Sequence, residues 1–562
     1  MGLRSLILCL FVSVLLIKTV KATPPPAPQY AFRISFTDKK GTANISNPLT
    51  FLSSRAIARR NKASISIDSS DLPVSPAYID SVLTLPGSEL HVTSRWLNDC
   101  VLLVTDSTQI AALRLKPFVK TAVFVAYYAS GLHKSPGINP KFAIENKSIG
   151  SGAHKPTGTA VFYGQTYPQT ALVKGDYLHD AGYKGTGMLI VVLDAGFIGA
   201  DTHPGFDSLR NTSGILDVHN FVLNTNNIYS YDTHGMAALS TMAGYIPGTY
   251  VGTAPLAQYA LYVTEDNNSE QPIEMDNMLA GTERADSLGA NVISVSLGYD
   301  IMDGNFSLTY ADIDGKSTVA AQAANIATQK GILFVASAGN DGGTPWHYIL
   351  SPGDADSALT IGAVYADKTV IPFSGYGPNA AGRIKPDVCD LGYQVEVFSS
   401  SGGLIVEDGT SFSTPQIAGW AACLWQGNSK ATPFMIRSAI IKSADHYTTP
   451  DSELGYGVPD FSKASVLLDV KDTPVDTSRW LTVAPNPFTN EINVKLNLTG
   501  VQQVYFTLFD AGGKKICSFA RTVDTRSNAY VILPIGAGLA SGSYMLKVVA
   551  AKQASVIKLL KY

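Results

Sequence analysis

The sequence has little charge, few cysteines and no long apolar run after its first residues. Only 15% of its 562 residues are charged, and 42 basic against 45 acidic side chains give a formal net charge of −3. An average soluble protein carries about 25% charged residues. No basic block is present to neutralise a row of phosphates, which argues against a dedicated nucleic-acid-binding protein. With 45% hydrophobic residues the chain is nevertheless too apolar for general disorder.

Cysteine is too scarce to define a fold. Of the five cysteines, Cys9 lies in the apolar stretch near the N-terminus. The other four are scattered and show no C-x-x-C spacing: Cys100, Cys389, Cys423 and Cys517. Neither a zinc site nor a dense disulfide framework is therefore indicated, and we expect buried free thiols.

The first residues resemble an export signal. Arg4 precedes the apolar stretch Leu6 to Ile17, which is too short to cross ~30 Å of hydrocarbon. Val20 and Ala22 then offer suitable residues for a signal-peptidase cut. We predict a signal peptide over residues 1–22, with an uncleaved anchor as the alternative. No later segment approaches 18 uninterrupted apolar residues, so no transmembrane helix is predicted.

The next region has the pattern of a small α+β domain. Alternating or apolar residues predict strands at 30–36, 100–104 and 122–127, and helical spacing is present at 51–60 and 108–115. The basic residues Arg55, Arg59, Arg60 and Lys62 are interpreted as a solvated helix face. Residues 129–156 are rich in Gly, Ser, Lys, Asn and Pro, which predicts an exposed linker.

Beyond residue 160 the pattern becomes that of a doubly wound, mostly parallel α/β sheet. Near-continuous apolar strands are predicted at 188–193, 291–297 and 331–336, as in strands covered on both faces. Helices are predicted at 274–288 and 318–329, between those strands. Polar residues 471–479 read as a second linker. From 480 to 562 the period changes to two, which predicts about seven short strands in a small β-sandwich.

Three segments of the α/β region place a reactive side chain where a strand ends or a helix begins. Asp194 follows a buried strand, His234 precedes a helix of small residues, and Ser411 precedes the apolar helix 417–425. Each has a structural explanation taken singly, such as a helix cap for the serine. Together they form an acid, a base and a nucleophile, and Asn340 at another strand end offers an amide donor.

These motifs, in the order Asp, His, Ser, resemble subtilisin-type serine endopeptidases. The resemblance implies that Ser411 is the nucleophile, His234 the general base, and Asp194 the group that fixes the imidazole. It also implies that Asn340 contributes to the oxyanion hole.

The same resemblance assigns substrate-binding residues. It implies that Ser296, Leu297 and Gly298 form an edge to which substrate adds as a strand, and that Ala338 and Gly339 line the P1 pocket. Two positions depart from the family pattern, since Ala195 and Met236 stand where Ser or Thr and Thr are usual.

The flanking regions resemble known companions of such proteases. Residues 23–150 are similar to a propeptide with its linker, which implies a maturation cut between 129 and 164, and residues 151–470 form the catalytic domain. Residues 480–562 resemble the C-terminal sorting domain of the type IX secretion system, through Val483 to Phe488, Leu508 to Gly513 and Leu539 to Tyr544. An adhesive or carbohydrate-binding sandwich is the alternative for this last unit.

We therefore expect a serine endopeptidase, secreted or displayed on the cell surface, that hydrolyses proteins through an acyl-enzyme. Its expected partners are protein or peptide substrates and the type IX secretion machinery. No metal site and no required cofactor are predicted; calcium is common in the family, and the acidic loop 265–268 offers oxygen ligands. One alternative is an inactive subtilase scaffold that binds at the surface. Another is an enzyme that cuts only its own precursor or a partner.

Overall fold

The computed structural model describes residues 27–129, 160–469 and most of 481–561. The predicted signal peptide, the linker at 471–479 and most of the first linker and maturation region lie outside the described residues. The chain divides into two compact units, Met1–Leu468 and Asp469–Tyr562, which are described separately below.

The N-terminal region is the predicted small α+β domain. Its elements are β1 (Gln29–Phe36), α1 (Ser54–Lys62), α2 (Pro76–Val82), β2 (Glu89–Ser94), β3 (Asp99–Val104), α3 (Ile110–Arg114) and β4 (Val119–Tyr128). They form an antiparallel sheet in the order β2-β3-β1-β4. The core includes Ile34, Leu102 and Leu113, which are fully or almost fully buried. Helix α2 and strand β2 were not predicted, because neither has a clear apolar period.

The main body follows in the first unit. Its helices are α4 (Ala160–Tyr163), α5 (Tyr167–Ala171), α6 (Asp176–Asp180), α7 (Asp207–Asn211), α8 (His234–Ala243), α9 (Ile273–Leu288), α10 (Val319–Gln329), α11 (Thr410–Gly427), α12 (Pro433–Ser443) and α13 (Phe461–Asp469). Its strands are β5 (Leu189–Asp194), β6 (Ile215–Asn220), β7 (Tyr245–Ile246), β8 (Tyr250–Val251), β9 (Gln258–Val263), β10 (Val292–Val295), β11 (Leu333–Ser337), β12 (Leu359–Val364), β13 (Val388–Leu391), β14 (Val395–Phe398) and β15 (Leu404–Glu407).

Seven of these strands form a parallel sheet, in the order β13-β12-β11-β10-β5-β9-β6. The strands that follow β5 in the chain, β6 and β9, lie on one side of it in the sheet. The strands that follow β10, which are β11, β12 and β13, lie on the other side. The strand order therefore reverses between β5 and β10, and an open α/β sheet has its crevice at the carboxyl ends of such strands.

Strand β5 shows why the predicted strands are apolar on both faces. Ile190 and Val192 pack with helices α8, α11 and α12 on one side of the sheet. Leu189, Val191 and Leu193 pack with α9 and α10 on the other side. Every position of β5 is therefore buried, as the uninterrupted apolar run predicted.

The N-terminal domain packs on the body through buried ion pairs. Arg59 and Arg60 of α1 both bind Asp286 of α9, and Arg95 binds the same carboxylate at 2.6 Å. Arg60 also binds Asp71 at 2.8 Å. The prediction of a solvated helix face is wrong for Arg59 and Arg60, which are 8% and 0% exposed. Their aliphatic stems and charges are covered by α9, which lies far away in the sequence.

The second unit contains seven strands in two antiparallel sheets, as expected of a small sandwich. One sheet has the order β16 (Leu481–Ala484), β17 (Ile492–Leu496), β20 (Ala529–Leu533); the other has the order β19 (Lys515–Asp524), β18 (Val501–Asp510), β21 (Gly542–Ala550), β22 (Gln553–Lys561). Val494, Phe506, Leu508 and Leu546 are fully buried in its core. The predicted alternation of apolar and polar residues is therefore the alternation of inner and outer faces.

All four cysteines in the described part of the chain are free thiols. Cys100, Cys389 and Cys423 are buried, as predicted, whereas Cys517 is half-buried. No helix among the described residues has the length and apolarity needed to cross a membrane.

Candidate active site

Asp194 is the last residue of β5 and is fully buried. Its Oδ1 lies 2.6 Å from Nδ1 of His234 and accepts a hydrogen bond from the backbone N–H of Ala195 at 2.7 Å. Burial raises the pKa of Asp194, and the neighbouring His234 opposes that shift by favouring the carboxylate. The carboxylate thus holds the imidazole by Nδ1, which leaves Nε2 on the opposite edge of the ring.

His234 is the first residue of α8, where the chain turns sharply into a helix. The backbone N–H of His234 donates to Oδ1 of Asp232 at 2.8 Å, which satisfies a donor at the helix start. Gly235 is required by close approach, because a Cβ there would lie 2.6 Å from the carbonyl oxygen of Gly196. The His234 ring centroid lies 5.8 Å from that of Phe412. The imidazole is therefore held between the end of β5 and the start of α11.

Ser411 is the second residue of α11, so it occupies the helix N-terminus that the sequence predicted. Its Oγ donates to the carbonyl oxygen of Ser296 at 3.2 Å. Pro415, one turn later, has no N–H to donate to the Ser411 carbonyl. Ser296 Oγ donates to that carbonyl instead, at 2.8 Å. Two hydrogen bonds thus tie the serine turn to the segment after β10.

Asn340 follows β11 and also contacts the start of α11. Its Oδ1 accepts hydrogen bonds from the backbone N–H and from Oγ1 of Thr410, both at 2.9 Å. Because the oxygen is used in this way, the amide nitrogen is on the side away from Thr410. The structure therefore fixes the amide of Asn340 beside the residue that precedes Ser411.

The predicted substrate-binding residues lie on two adjacent segments. Ser296, Leu297 and Gly298 follow β10, and Ala338 and Gly339 follow the neighbouring parallel strand β11. Ser337 Oγ donates to the carbonyl oxygen of Leu297 at 3.2 Å, which joins the two segments. The side chain of Ala338 is fully buried. These residues are close to Ser411, because Ser296 bonds to it directly.

Leu350 was not predicted, yet it lies between the two predicted segments. A Cβ at Gly298 would lie 2.6 Å from Leu350 Cβ, and a Cβ at Gly339 would lie 2.4 Å from Leu350 Cγ. Leu350 is 6% exposed. The leucine therefore occupies the space that the absent side chains of both glycines leave, and no local pattern in the sequence marks it.

The two departures from the family pattern are accommodated without contact between their side chains and the reacting atoms. Ala195 donates its backbone N–H to Asp194, a bond that any non-proline residue could make. Met236 is fully buried in the core on the α8 side of the sheet. Another histidine soon after β5, His203, caps a short turn at Pro204–Phe206 and stacks on Phe398, so it lies outside this site.

One group of carboxylates among the described residues has the spacing to hold a metal ion. Glu265, Glu270 and Glu274 each offer an oxygen, and these oxygens lie within 4.8 Å of one another. The group includes the first residue of the acidic loop 265–268. The prediction that no cofactor is required stays a prediction.

Three family models match consecutive parts of the chain. The subtilase family matches residues 185–457, and the peptidase S8 propeptide domain of Bacteroidota matches residues 31–138. The secretion system C-terminal sorting domain matches residues 482–562. The predicted propeptide, peptidase and sorting regions each contain one of these matches.

Curated relatives are similar over the peptidase region. Subtilisin BL from Lederbergia lenta is 26% identical over 272 residues, which are 48% of this chain and 88% of the relative. Subtilisin DY from Bacillus licheniformis is 27% identical over 283 residues, or 50% of this chain and 92% of the relative.

Among solved structures, the prenylagaramide maturation protease PagA is 22% identical, with a TM-score of 0.42, and the match covers 52% of this chain and 98% of PagA. The assignment of Asp194, His234 and Ser411 as catalytic residues stays a prediction. The chain is a subtilisin-like serine endopeptidase of the subtilase family, with a propeptide domain before the peptidase domain and a secretion-system sorting domain after it.

Proposed function

We propose that the protein is an exported endopeptidase that hydrolyses proteins through an acyl-enzyme on Ser411, with His234 and Asp194 as its catalytic partners. The observation that carries this proposal is the 2.6 Å contact between Asp194 Oδ1 and His234 Nδ1, next to the helix turn that bears Ser411. No other acid and histidine in the described residues combine this contact with a serine at a helix start.

In the first half of the reaction, Ser411 Oγ attacks the carbonyl carbon of the scissile peptide bond. His234 Nε2 accepts the hydroxyl proton and then donates it to the leaving amine, which departs as the acyl-enzyme forms. In the second half a water molecule attacks the ester, His234 takes its proton, and Ser411 regains a proton as the acid product leaves. Asp194 stays ionised, fixes the imidazole tautomer and stabilises the imidazolium.

Two donors stabilise the negative oxygen of each tetrahedral intermediate. One is the Asn340 amide N–H, whose direction is set by the two bonds that Thr410 gives to Oδ1. The other is the backbone N–H of Ser411, at the N-terminus of a helix of 18 residues. Donors fixed before the reaction stabilise the developing charge without a reorganisation cost in the transition state.

Specificity at P1 depends on Leu350. This side chain lies against Gly298 and Gly339, which the family resemblance places at the substrate edge and in the P1 pocket. A leucine in that space leaves room for a small P1 side chain. We therefore propose that the enzyme prefers substrates with a small residue, such as alanine, before the scissile bond.

Export is proposed to use both ends of the chain. The sorting-domain match at residues 482–562 indicates secretion to the cell surface, and the sequence predicts a signal peptide at residues 1–22 for the first step. The propeptide domain would then be removed between 129 and 164. No metal or organic cofactor is needed for the proposed chemistry.

The deciding experiment compares secreted wild-type protein with Ser411→Ala by intact mass and by fluorophosphonate labelling. We expect wild type to label and to lose its propeptide, and the variant to remain long and unlabelled. Loss of the nucleophile should lower turnover on the order of 10⁶-fold. Ser413→Ala is the matched control, because Ser413 Oγ only donates to the Thr410 carbonyl within the helix.

Three results would contradict the proposal or limit it. If neither protein labels and both have the same mass, an inactive scaffold that binds at the surface is the better explanation. If Ser411→Ala still matures at the normal position, another protease makes the cut. If wild type labels but leaves unfolded casein intact, the substrate is the enzyme's own precursor or a partner.

A further inference from the structure

Asp232 is a second carboxylate beside the proposed general base, and no step of the proposed mechanism uses it. It lies two residues before His234, and its Oδ1 accepts a hydrogen bond from the His234 backbone N–H at 2.8 Å. Thr233, the residue directly before α8, makes no side-chain hydrogen bond to the start of the helix. Asp232 therefore supplies an acceptor that the first turn of α8 needs.

Asp232 is also bonded to the loops that follow β5 and β9. Its Oδ2 accepts from Asn267 Nδ2 at 2.8 Å, and Asn267, in the loop after β9, is 2% exposed. Its backbone carbonyl accepts from the N–H of Ile198 at 2.7 Å, in the loop after β5. A Cβ at Gly196 would lie 2.2 Å from the Asp232 backbone nitrogen, so this loop is also in close contact with it. One residue thus joins the start of α8 to both loops.

The charge of Asp232 acts on the proposed catalytic residues. Burial raises the pKa of Asp194, and the negative charge of Asp232 adds to that rise. The same charge favours the protonated form of a neighbouring imidazole, because opposite charges attract. Asp232 is half-buried, so water and salt screen its charge less than they screen that of a fully exposed carboxylate.

Other elements packed on α8 contact a later part of the helix. Strands β8 and β14 both meet Ser240, whose Oγ lies 3.2 Å from the Tyr250 hydroxyl and accepts from the Phe398 N–H at 3.1 Å. Ser240 is six residues (240 minus 234) beyond His234, or about 9 Å along the helix axis. Helix α11 has no charged side chain. Besides Asp194, the titratable side chains of the packed elements, of the turn at Pro204–Phe206 and of the loop after β9 are His203, Tyr250, Glu265, Asp266, Glu396 and Cys423.

We propose that Asp232 is a positioning residue for the general base: it fixes the helix turn that carries His234 and stabilises the imidazolium that forms during turnover. The inference rests on the proposed function, since it matters only if His234 moves protons for Ser411. The imidazole takes the Ser411 proton, becomes positively charged and then gives the proton to the leaving amine. Asp194 holds the ring at Nδ1, and Asp232 holds the backbone of the same histidine.

A change of charge with little change of shape tests this role. Asp232→Asn keeps an oxygen for the His234 N–H but removes the negative charge. We expect the acid limb of kcat/KM against pH to move down by roughly 0.5 to 1 unit, because the imidazolium loses its proton more readily without that charge. On the plateau, kcat should fall roughly 3- to 10-fold, the factor to which such a shift corresponds, with little change in KM.

The measurement uses the full chain after maturation and a tetrapeptide amide as substrate. Asp367→Asn is the matched control, because Asp367 Oδ1 also accepts from the N–H two residues later, that of Thr369, at 3.0 Å, in an exposed turn. This control should leave kcat and the acid limb unchanged. Asp232→Glu keeps the charge, so it should keep the position of the limb. If Asp232→Asn does not fold, Asp232→Ser replaces it as an uncharged acceptor.

Asn267→Ala tests the link between Asp232 and the loop after β9. The charge stays in this variant, but the carboxylate loses one of its donors. We expect kcat to fall roughly 3- to 10-fold, as for one lost hydrogen bond, while the acid limb keeps its position. Together with Asp232→Asn, the two losses should be less than additive, because both act through the same carboxylate.

The outcomes separate this inference from the proposed function. The same acid limb in wild type and Asp232→Asn, with the tetrapeptide cleaved, would overturn the role of Asp232 and leave the endopeptidase intact. Fully additive losses for Asp232→Asn and Asn267→Ala would contradict the link to the loop. Absence of both turnover and fluorophosphonate labelling in wild type would instead overturn the proposed function.

Discussion

At the scale of single residues, one short turn supports both the proposed nucleophile and the proposed oxyanion donor. Thr410 gives two hydrogen bonds to the Asn340 amide oxygen, and Ser411 exchanges two with Ser296. Pro415, one turn later, has no N–H to donate to the Ser411 carbonyl, so this carbonyl is available to accept a hydrogen bond from Ser296 Oγ. A substitution in any of these supports is therefore expected to affect geometry at the reacting carbonyl.

Asn340→Ala should slow turnover because it removes one of the two proposed oxyanion donors. We expect kcat to fall roughly 10²- to 10³-fold with little change in KM, since the donor acts on charge that develops in the transition state. Steady-state kinetics with a tetrapeptide amide measure both constants. Asn340→Asp keeps an acceptor for Thr410 but replaces the donor, so it should be slow as well. Wild-type turnover in either variant would remove Asn340 from the mechanism.

Leu350→Ala should enlarge the proposed P1 pocket, because the leucine lies against Gly339, which is predicted to line that pocket, and against Gly298 of the predicted substrate edge. We expect the ratio of kcat/KM for a Phe substrate to that for an Ala substrate to rise by about tenfold or more, in line with what each added methylene contributes in an apolar pocket. Tetrapeptide amides that differ only at P1 give this ratio. Leu256→Ala, at an exposed leucine, is the control. An unchanged ratio would show that other residues limit P1.

Residue patterns predicted that Asp194, His234 and Ser411 stand at a strand end or a helix start, but they did not predict what surrounds these candidate side chains. Asp194, His234 and Ser411 each stand at a strand end or helix start, and such positions are visible in a local window of sequence. Leu350 is part of an irregular segment, and its role depends on two glycines that reach it only after folding. Asp232 was also missed, since a polar residue before a helix is too common to mark a site.

At the scale of secondary structure elements, α9 is the surface on which the propeptide assembles. Asp286 lies in the last turn of this helix, where the macrodipole disfavours a negative charge. The propeptide supplies three guanidinium groups to that one carboxylate, from Arg59, Arg60 and Arg95. Arg33 adds a bidentate contact to Asp276 on the same helix, at 2.5 and 2.8 Å. These pairs fix where the propeptide sits.

Asp286→Ala should weaken the propeptide complex, because it leaves buried guanidinium groups without their shared partner. Breaking a buried pair in this way costs about 3–5 kcal/mol, which corresponds to at least about 100-fold in affinity. The rate at which cleaved propeptide leaves the enzyme, followed by size exclusion and mass spectrometry, reports the change. Asp217→Ala is the matched control, since it removes an ion pair with Arg284 inside the body. Equal release rates would contradict this account.

The local sequence of α1 explains why its contact with α9 was not predicted. Helix α1 was predicted correctly, but its basic residues were assigned to solvent. Their carboxylate partner, Asp286, is 227 residues away from Arg59 in the chain. A charged side chain on a helix has the same local sequence whether it meets water or a distant acid. The parallel sheet was predictable because burial of both faces leaves a continuous apolar run in β5, whereas β2 of the propeptide has no such pattern.

At the scale of the whole molecule, the described chain separates into two units with separate cores. The boundary falls at Leu468, after the body that contains the propeptide and peptidase domains. The second unit has its own apolar core and carries the match to a sorting domain. Cleavage chemistry and transport are therefore carried by different units of the same chain.

Removal of residues 469–562 should leave an active protease that is not sorted. The first unit keeps its own core and the proposed catalytic residues, so we expect the truncated protein to mature and to cleave the tetrapeptide amide with kcat/KM within about twofold of wild type. Cell fractionation should find the truncated protein retained on the inner side of the outer membrane, not exported across it. A truncated protein that is exported normally would show that the sorting unit is dispensable. One that cannot mature would show that the units depend on each other to fold.

The distribution of the four free thiols has a practical consequence for following how this molecule comes apart. Cys100 lies in the propeptide sheet, Cys389 at the edge of the parallel sheet, Cys423 in the long helix behind Ser411, and Cys517 in the sandwich. Burial raises the pKa of Cys100, Cys389 and Cys423, so these thiols resist alkylation while their surroundings stay closed. Pulsed alkylation during denaturation therefore records when the surroundings of each of these three thiols open, with no engineered label.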